Sequence, residues 1–597
     1  VKGRILLFPV ITQGAGSGHL KRCLSLLEEG EQVYCYLPRE SGEGERTGSQ
    51  RTIDDLLRLI EGPNRDKCIT ELQDSSCWDW IVFDRKATST AELFSLLTYG
   101  NCLGLDEGGP AREYCTYTLD TLPALKRESE PNYRCLGFLD LPEKRRTASH
   151  PPQNILLTFG GEDSAGLTAR VARFLLKNSI VSPEQLTVVT GPFFRGELDL
   201  PGQVRILEAP AQLKSILGEY DLVITAFGLT CFEAIASGAA VLLVNPTAYH
   251  SALSKETGIP EIGRSHLSRR RCTKLMSRLP EIREQEYALI PQERLSLIHY
   301  ISRLEPPQQR TCPVCGSNHG RAVARFRERS FFRCSICTII YQLSFAPSTV
   351  RYDRDYFFKE YARQYGRTYL EDFSHIQELA RQRLKALDSL MRRRQAGSAG
   401  SSDPRLLDIG CAYGPFLAEA SAQGYAVFGI DVCEDAVRYV ANHLSIPAAV
   451  STFEAFDAST VSKQHHRFDV LTMWFVIEHL QDLQSALRKV NSLLVPGGLF
   501  CFSTPNSNGA SGRRGLRGFL RESPQDHVTV WSPTAARTIM KRYGFTVRKV
   551  RITGHHPERL PFVRKKSGVF FRVAALLSRL LGLGDTFEVY AVKESEV

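Results

Sequence analysis

The chain is predicted to be an α/β protein of three parallel-sheet domains with one small cysteine-rich insert. Three observations carry that expectation. Apolar runs of strand length alternate with amphipathic stretches of helix length along most of the 597 residues. Glycine-bearing turns follow several of those runs, as in QGAGSGH, TFGGED, TAFGLT and DIGCAYG. Two Cys-x-x-Cys pairs, Cys312/Cys315 and Cys334/Cys337, stand between the second and third α/β stretches.

The first stretch, residues 1–145, offers strands at Ile5–Ile11, Val33–Leu37, Trp80–Phe83 and Cys102–Leu105. The second, residues 150–304, offers Ile155–Thr158, Thr187–Val189, Leu222–Thr225 and Ala240–Val244. A polar, proline-bearing break (Leu141 to Gln153) separates them, and a second (Arg303 to Thr311) follows them. The cysteine insert fills 308–345, and the third α/β stretch runs over 350–597. A Gly/Ser-rich break at Arg392 to Pro404 lies inside it.

Composition narrows the function classes. A chain that is 43% hydrophobic and 23% charged can build globular cores. No apolar run reaches the ~18 residues of a spanning helix, and Ile5–Ile11 reads as a buried strand. Sixteen cysteines without a secretory leader pattern are expected to be reduced, in the cytoplasm. Charge is uneven: residues 1–310 carry 36 basic and 39 acidic side chains, and residues 311–597 carry 39 and 26. Residues 511–580 alone hold 16 basic and 3 acidic side chains, which supplies the whole excess. A solvated basic face and a surface for an anionic partner, including a membrane, are both open readings. Few aromatic–basic pairs flank the cysteines, so no nucleic-acid partner is expected.

The cysteine spacing has its own chemistry. Two knuckles 18 residues apart place four thiolates around one tetrahedral Zn²⁺. A closed four-cysteine site has no open position, so the metal is expected to be structural.

Arg405 to Asp431 reads as one βαβ unit. Its first strand ends in Asp408, the turn carries Gly410 and Gly414, and the second strand ends in Asp431. An acidic group there is placed for ribose hydroxyls. The pattern DxGCxxG resembles motif I of class I S-adenosylmethionine (SAM) methyltransferases. That resemblance implies SAM as cofactor and a Rossmann-like domain. It implies that Asp408, Gly410 and Gly414 shape the turn, that Asp431 holds the ribose, and that Thr452 and Phe453 flank the adenine. It further implies strand four in FDVLTMW, with Trp474 at its end. A zinc ribbon ahead of such a core resembles a broad group that includes sugar C-methyltransferases. The candidate bases for the acceptor are His479, beside Glu478, and His527 in SPQDHVTVWS, with His555 and His556 behind them. Val569 to Leu583 has apolar groups at helical spacing. It reads either as a core helix or as an interfacial one that meets a lipid-linked acceptor.

In the first two stretches, Gly14, Gly16 and Gly18 precede a helix that starts near His19. Gly160 and Gly161 follow a strand, and Gly228 and Thr230 open a helix that carries Glu233. Asn245 ends the next strand. Helix N-terminal amides suit a diphosphate, and Glu233 a ribose. Together GSGHLKR, LLTFGGED and ITAFGLTCFEAIASG resemble the GT-B-type UDP-sugar hydrolase of pseudaminic acid synthesis. They are less closely similar to the UDP-GlcNAc transferase of lipid II synthesis. The hydrolase resemblance implies two GT-B halves, a nucleotide-activated sugar as substrate, and His19 as catalytic residue with Arg22 beside it. Asp84, Asp106 and Glu107 match acidic positions of that family, whereas the residues after Asp84 (FDRKAT) depart from it. The combined expectation is a bifunctional enzyme: a nucleotide-sugar hydrolase or glycosyltransferase module joined to a methyltransferase that acts on a sugar or glycan. The alternatives are a GT-B half that only binds substrate, and a methyltransferase of RNA or protein.

Overall fold

The computed structural model describes residues 3–9, 18–37, 64–72, 77–85, 87–124, 129–142, 145, 151–161, 163, 165–191, 194, 196–208, 210, 213–264, 266–305, 311–345, 350–395, 403–461, 466–556 and 569–594. The chain divides into two compact units, Val1–Pro306 and Pro307–Val597.

The first unit holds two all-parallel sheets. One contains β1 (Ile5–Pro9), β2 (Val33–Tyr36), β3 (Cys68–Ile69), β4 (Trp78–Asp84), β5 (Gly100–Leu105), β6 (Tyr117–Asp120) and β7 (Tyr133–Arg134), in the order 3-2-1-4-5-6-7. The other contains β8 (Ile155–Thr158), β9 (Leu186–Thr190), β10 (Arg205–Glu208), β11 (Leu222–Thr225), β12 (Ala240–Val244) and β13 (Glu261–Gly263), in the order 10-9-8-11-12-13. Their strands β1, β8 and β12 are buried throughout and almost wholly apolar, as a parallel sheet covered on both faces requires. The strand that the sequence suggests at Ile5–Ile11 ends at Pro9 within the described residues. The helix Leu297–Ser302, at the end of the second stretch, packs against the first sheet: Leu297, Ile298 and Ile301 share a core with Ile5, Leu7 and Trp80. Tyr300 Oη lies 2.9 Å from Tyr117 Oη. An apolar stripe on a short helix does not specify which sheet will cover it.

The second unit holds β14 (Gly320–Arg325), β15 (Arg329–Cys334), β16 (Ile340–Ser344), β17 (Arg405–Ile409), β18 (Ala426–Asp431), β19 (Ala448–Val450), β20 (Phe468–Trp474), β21 (Leu494–Pro505), β22 (Thr529–Val530), β23 (Phe545–Thr553) and β24 (Thr586–Lys593). Its large sheet has the order 19-18-17-20-21-24-23, and β24 runs antiparallel to both neighbours. The cysteine-bearing hairpins are not a free-standing ribbon. β16 pairs with β22, so residues from far along the chain complete a four-stranded sheet. Cys312, Val314, Cys334 and Cys337 share one core with Phe468, Leu483 and Trp531.

In each of these three large sheets the strand order reverses between the first strand and its parallel neighbour: β1/β4, β8/β11 and β17/β20. The carboxyl ends of such a strand pair leave a crevice between diverging connections, which is where ligands bind in open α/β sheets.

Candidate active site

The crevice of the second unit is lined first by the turn after β17. Gly410, Ala412 and Gly414 all have positive φ, at 71°, 47° and 78°. A Cβ on Gly410 would lie 2.4 Å from Val476 Cγ2, and one on Gly414 would lie 2.8 Å from Val440 Cγ2. Only glycine meets both the conformation and the crowding. Asp431, at the end of β18, braces the turn: its Oδ2 accepts from Ala412 N at 2.8 Å and its Oδ1 from Cys433 N at 2.9 Å. Burial raises its pKa against those amide bonds. Each oxygen keeps a further lone pair, so the carboxylate can still accept a pair of vicinal hydroxyls.

Other expected cofactor residues have less open positions. Asp408 is fully buried and accepts from Thr472 Oγ1 at 2.6 Å. Burial pushes its pKa up to about 7, with Thr472 and Arg383 opposing. Thr452 Oγ1 accepts from Ala455 N at 3.2 Å, and Phe453 packs into the core below the Lys489 ammonium. Trp474 packs edge-on against Phe416, with the Arg383 guanidinium 4.2 Å above its ring. Its Nε1 has no partner among the described residues.

The acceptor side is built from the turn after β20 and the segment before β22. Residues Ile477–His479 form one 3₁₀ turn. It follows Phe475, whose φ of 59° is unusual for an aromatic residue. His479 Nδ1 lies 3.1 Å from Asp526 Oδ2 and 3.1 Å from Tyr352 Oη. Tyr352 donates a short hydrogen bond to the same carboxylate. A carboxylate only accepts, so Nδ1 carries the proton and Nε2 is left with the basic lone pair. Burial lowers the His479 pKa, but Asp526 and Glu478 outweigh it and the net shift is upward. Asp526 is held down at about 2 by His479 and Tyr352, against its own burial.

His527 sits edge-on to His479, with ring centroids 4.7 Å apart. Burial and the neighbouring imidazole push its pKa down to about 3, so it stays neutral across the working range. Glu478 is buried, with the Thr504 hydroxyl against its carboxylate. Burial pushes its pKa up to about 7. The buried hydroxyl of Ser503, at the end of β21, lacks a partner among the described residues. Buried orphan groups of this kind are costly unless something else satisfies them.

Sequence reasoning found both histidines, and the structure brings them together. It missed Tyr352 and Asp526. Asp526 directly precedes His527 and was there to be weighed. Tyr352 carried no signal, being 127 residues from its partner. The pair His555/His556 lies elsewhere: His555 bonds Ser578 beside the helix Val569–Leu580.

The four cysteine sulfurs all lie within 4.8 Å of one another, with Cys312 to Cys337 and Cys315 to Cys334 both at 3.5 Å. Ligands about 2.3 Å from one ion at tetrahedral angles stand just under 4 Å apart. The donor set therefore fits Zn²⁺.

In the first unit, His19 and Arg22 lie on the helix Gly18–Leu26 that follows β1, and Asp84 ends β4. His19 Nδ1 is 2.6 Å from Asp84 Oδ1. Arg22 bonds both oxygens of Asp84 and reaches Asp106 Oδ2 at 2.8 Å. Burial raises the Asp84 pKa, but Arg22 and His19 bring it down to about 2. Glu107 faces away from this group and accepts from Thr88 and Gly109. Gly18 begins the helix, whereas Gly14 and Gly16 lie outside the described residues.

In the second sheet of that unit, Gly160 has φ 80° directly after β8, with Gly161 beside it. Gly228, Thr230 and Glu233 are partly exposed at the mouth of the helix Leu229–Ser237. Asn245 is fully buried, and its Oδ1 accepts from Phe227 N at 2.9 Å, which holds the turn before that helix. A cleft of about 530 Å³ opens past the end of β13, lined by Glu261, Arg264, His266 and Arg271. None of these four was singled out from sequence.

Comparison with known proteins now gives the class. Residues 375–550 match the family described as a methyltransferase domain. The second unit thus carries a methyltransferase domain of the SAM-dependent class, in an α/β Rossmann-like fold. The ubiquinone biosynthesis O-methyltransferase of Aromatoleum aromaticum is 34% identical over 152 residues, which is 25% of this chain and 61% of that protein. Its counterpart in Coxiella burnetii is 34% identical over 104 residues, 17% of this chain and 44% of that protein. The chain spans roughly half the length of the curated relatives it matches. Among solved structures, magnesium protoporphyrin IX methyltransferase from Synechocystis, with bound SAH, is 14% identical at a TM-score of 0.27, covering 40% of this chain and 98% of that one.

Proposed function

We propose that the second unit methylates a hydroxyl of a sugar or related small molecule, with His479 as the general base. The observation that carries this reading is the His479–Asp526–Tyr352 cluster beside the turn after β17. When bound, SAM supplies an electrophilic methyl group. The chain's own task is then to position the acceptor and remove its proton. Nε2 of His479 would take that proton, and Asp526 would stabilise the imidazolium that results. Neutral His527 and the buried hydroxyl of Ser503 can orient the acceptor. Gly410, Gly414 and Asp431 would hold the cofactor. The four cysteines would hold a structural Zn²⁺.

For the first unit, the reading is a GT-B-like module that binds a nucleotide-activated sugar, UDP-linked by its resemblance, and hydrolyses or transfers it. The His19–Asp84 pair at the β1/β4 crevice favours it, because Asp84 fixes the tautomer and leaves Nε2 as a base. Gly160, Gly228, Thr230 and Glu233 would line the nucleotide side.

Mass spectrometry of the protein incubated with SAM and a panel of UDP- and CMP-sugars tests both. The expected products are a sugar heavier by one methyl group and free nucleotide. Nucleotide release without methylation would move the acceptor to a downstream glycan. Neither product, with SAM shown to bind, would refute the free nucleotide-sugar reading.

A further inference from the structure

We propose that the helix Val569–Leu580 lays an apolar face into the surface of an anionic lipid bilayer. It connects β23 to β24 and is amphipathic in an unusual sense. Its packed side is small and partly polar: Ala574 and Ser578 are the buried residues. Its outer side is large and apolar: Val569 is 75% exposed, Phe570 83% and Leu580 73%, and Val573, Leu576, Leu577 and Leu581 are exposed with them. At 3.6 residues per turn these seven side chains fall within one arc of about 140°. The buried residues fall outside that arc, so the outer face is continuous.

Isolated exposed leucines need no explanation, but a contiguous apolar patch does. Charge selects the occupant. The helix carries no acidic residue, and Arg572 and Arg579 flank one rim of the apolar arc. Residues 511–580 hold 16 basic and 3 acidic side chains. An apolar face rimmed by cations matches acyl chains below anionic headgroups, with the arginine stems reaching up to the phosphates. Twelve residues at 1.5 Å each span about 18 Å, well short of a hydrocarbon core of ~30 Å. The helix therefore lies in the interface and does not cross it.

The position gives docking a consequence. β24 starts at Thr586, directly opposite Pro505, and Phe587 pairs with Thr504. The helix thus feeds into the carboxyl edge of the sheet, where Ser503, Thr504 and His479 meet. Docking would bring that edge to the lipid surface. The proposal goes beyond the methyl-transfer reading and does not depend on it.

The test is vesicle flotation of the full chain. Phosphatidylcholine vesicles with one third phosphatidylglycerol are expected to carry the protein, and pure phosphatidylcholine to carry at least tenfold less. Phe570→Ser with Leu577→Ser is expected to lower flotation at least tenfold, with the thermal melt and SAM affinity unchanged, because both side chains point outward. Arg572→Glu with Arg579→Glu is expected to abolish the preference for anionic vesicles. Failure to float on anionic vesicles would overturn the proposal, as would flotation indifferent to the serine pair. A wild-type dimer that does not float and that the serine pair turns into a monomer would assign the face to a second copy instead. SAM affinity is measured in the same samples, so loss of docking is distinguishable from loss of the cofactor site.

Discussion

At the scale of single residues, two histidine–aspartate pairs stand at strand-end crevices, His479–Asp526 and His19–Asp84, and each leads to a pH prediction. His479 must be neutral to accept a proton, and Asp526 raises its pKa above the ordinary 6.5. The methyl-transfer rate should therefore rise with pH through a limb above 6.5, and Asp526→Asn should move that limb to lower pH. His479→Ala should lower kcat about 10²–10⁴-fold with little change in SAM affinity. Unchanged kcat in His479→Ala would leave the proton to bulk water and remove the base. In the first unit, Asp84 is depressed to about 2 from 3.8, so its contribution to stability is complete above pH 4 and is lost as pH falls towards 2. Arg22→Met leaves the buried Asp84 carboxylate without its cation and should cost about 3–5 kcal/mol. Thermal melts from pH 2 to 7 check the sign: the variant should lose stability above pH 4 and show a flatter acid limb.

At the scale of elements, turns and hairpins decide which ligands the sheets can hold. The turn after β17 needs three residues with positive φ and two glycines without room for a Cβ. Gly414→Ala is expected to weaken SAM binding at least tenfold by calorimetry, because the added methyl meets Val440 and Leu444 while φ stays strained. An equal affinity would show that the turn shifts without cost. The cysteine hairpins belong to the methyltransferase core and not to a separate module. Tyr543 bonds Val314 O, and Gln484 N donates to Pro313 O at 3.0 Å. Mutating the four cysteines should therefore act on the methyltransferase sheet itself, and Cys315→Ser is expected to lower SAM occupancy through unfolding.

At the scale of the whole molecule, two units with separate cores should melt as two transitions. Stripping metal with a chelator is expected to lower only the transition of the second unit, and one equivalent of Zn²⁺ should restore it. Loss of both transitions together, or of neither, would contradict a structural zinc confined to that unit. Elemental analysis supplies the stoichiometry. Among the described residues no helix is long and apolar enough to cross a membrane.

Much of this was legible in the sequence, for reasons of local physics. Alternating apolar runs and glycine turns encode parallel sheets because a strand buried on both faces must be apolar and a tight βα turn must admit positive φ. Paired Cys-x-x-Cys knuckles encode the clustering of four thiols because the spacing within each knuckle is a local constraint. His19, His479 and His527 stood out as isolated titratable groups beside turns. Tertiary structure alone decided the partners. Tyr352 reaches His479 across 127 residues, β22 completes the cysteine sheet, and Leu297–Ser302 returns to the first sheet. It alone also decided which face of Val569–Leu580 is covered. Periodicity reports that a helix has an apolar stripe. Whether protein or another medium covers that stripe depends on what the rest of the fold places beside it.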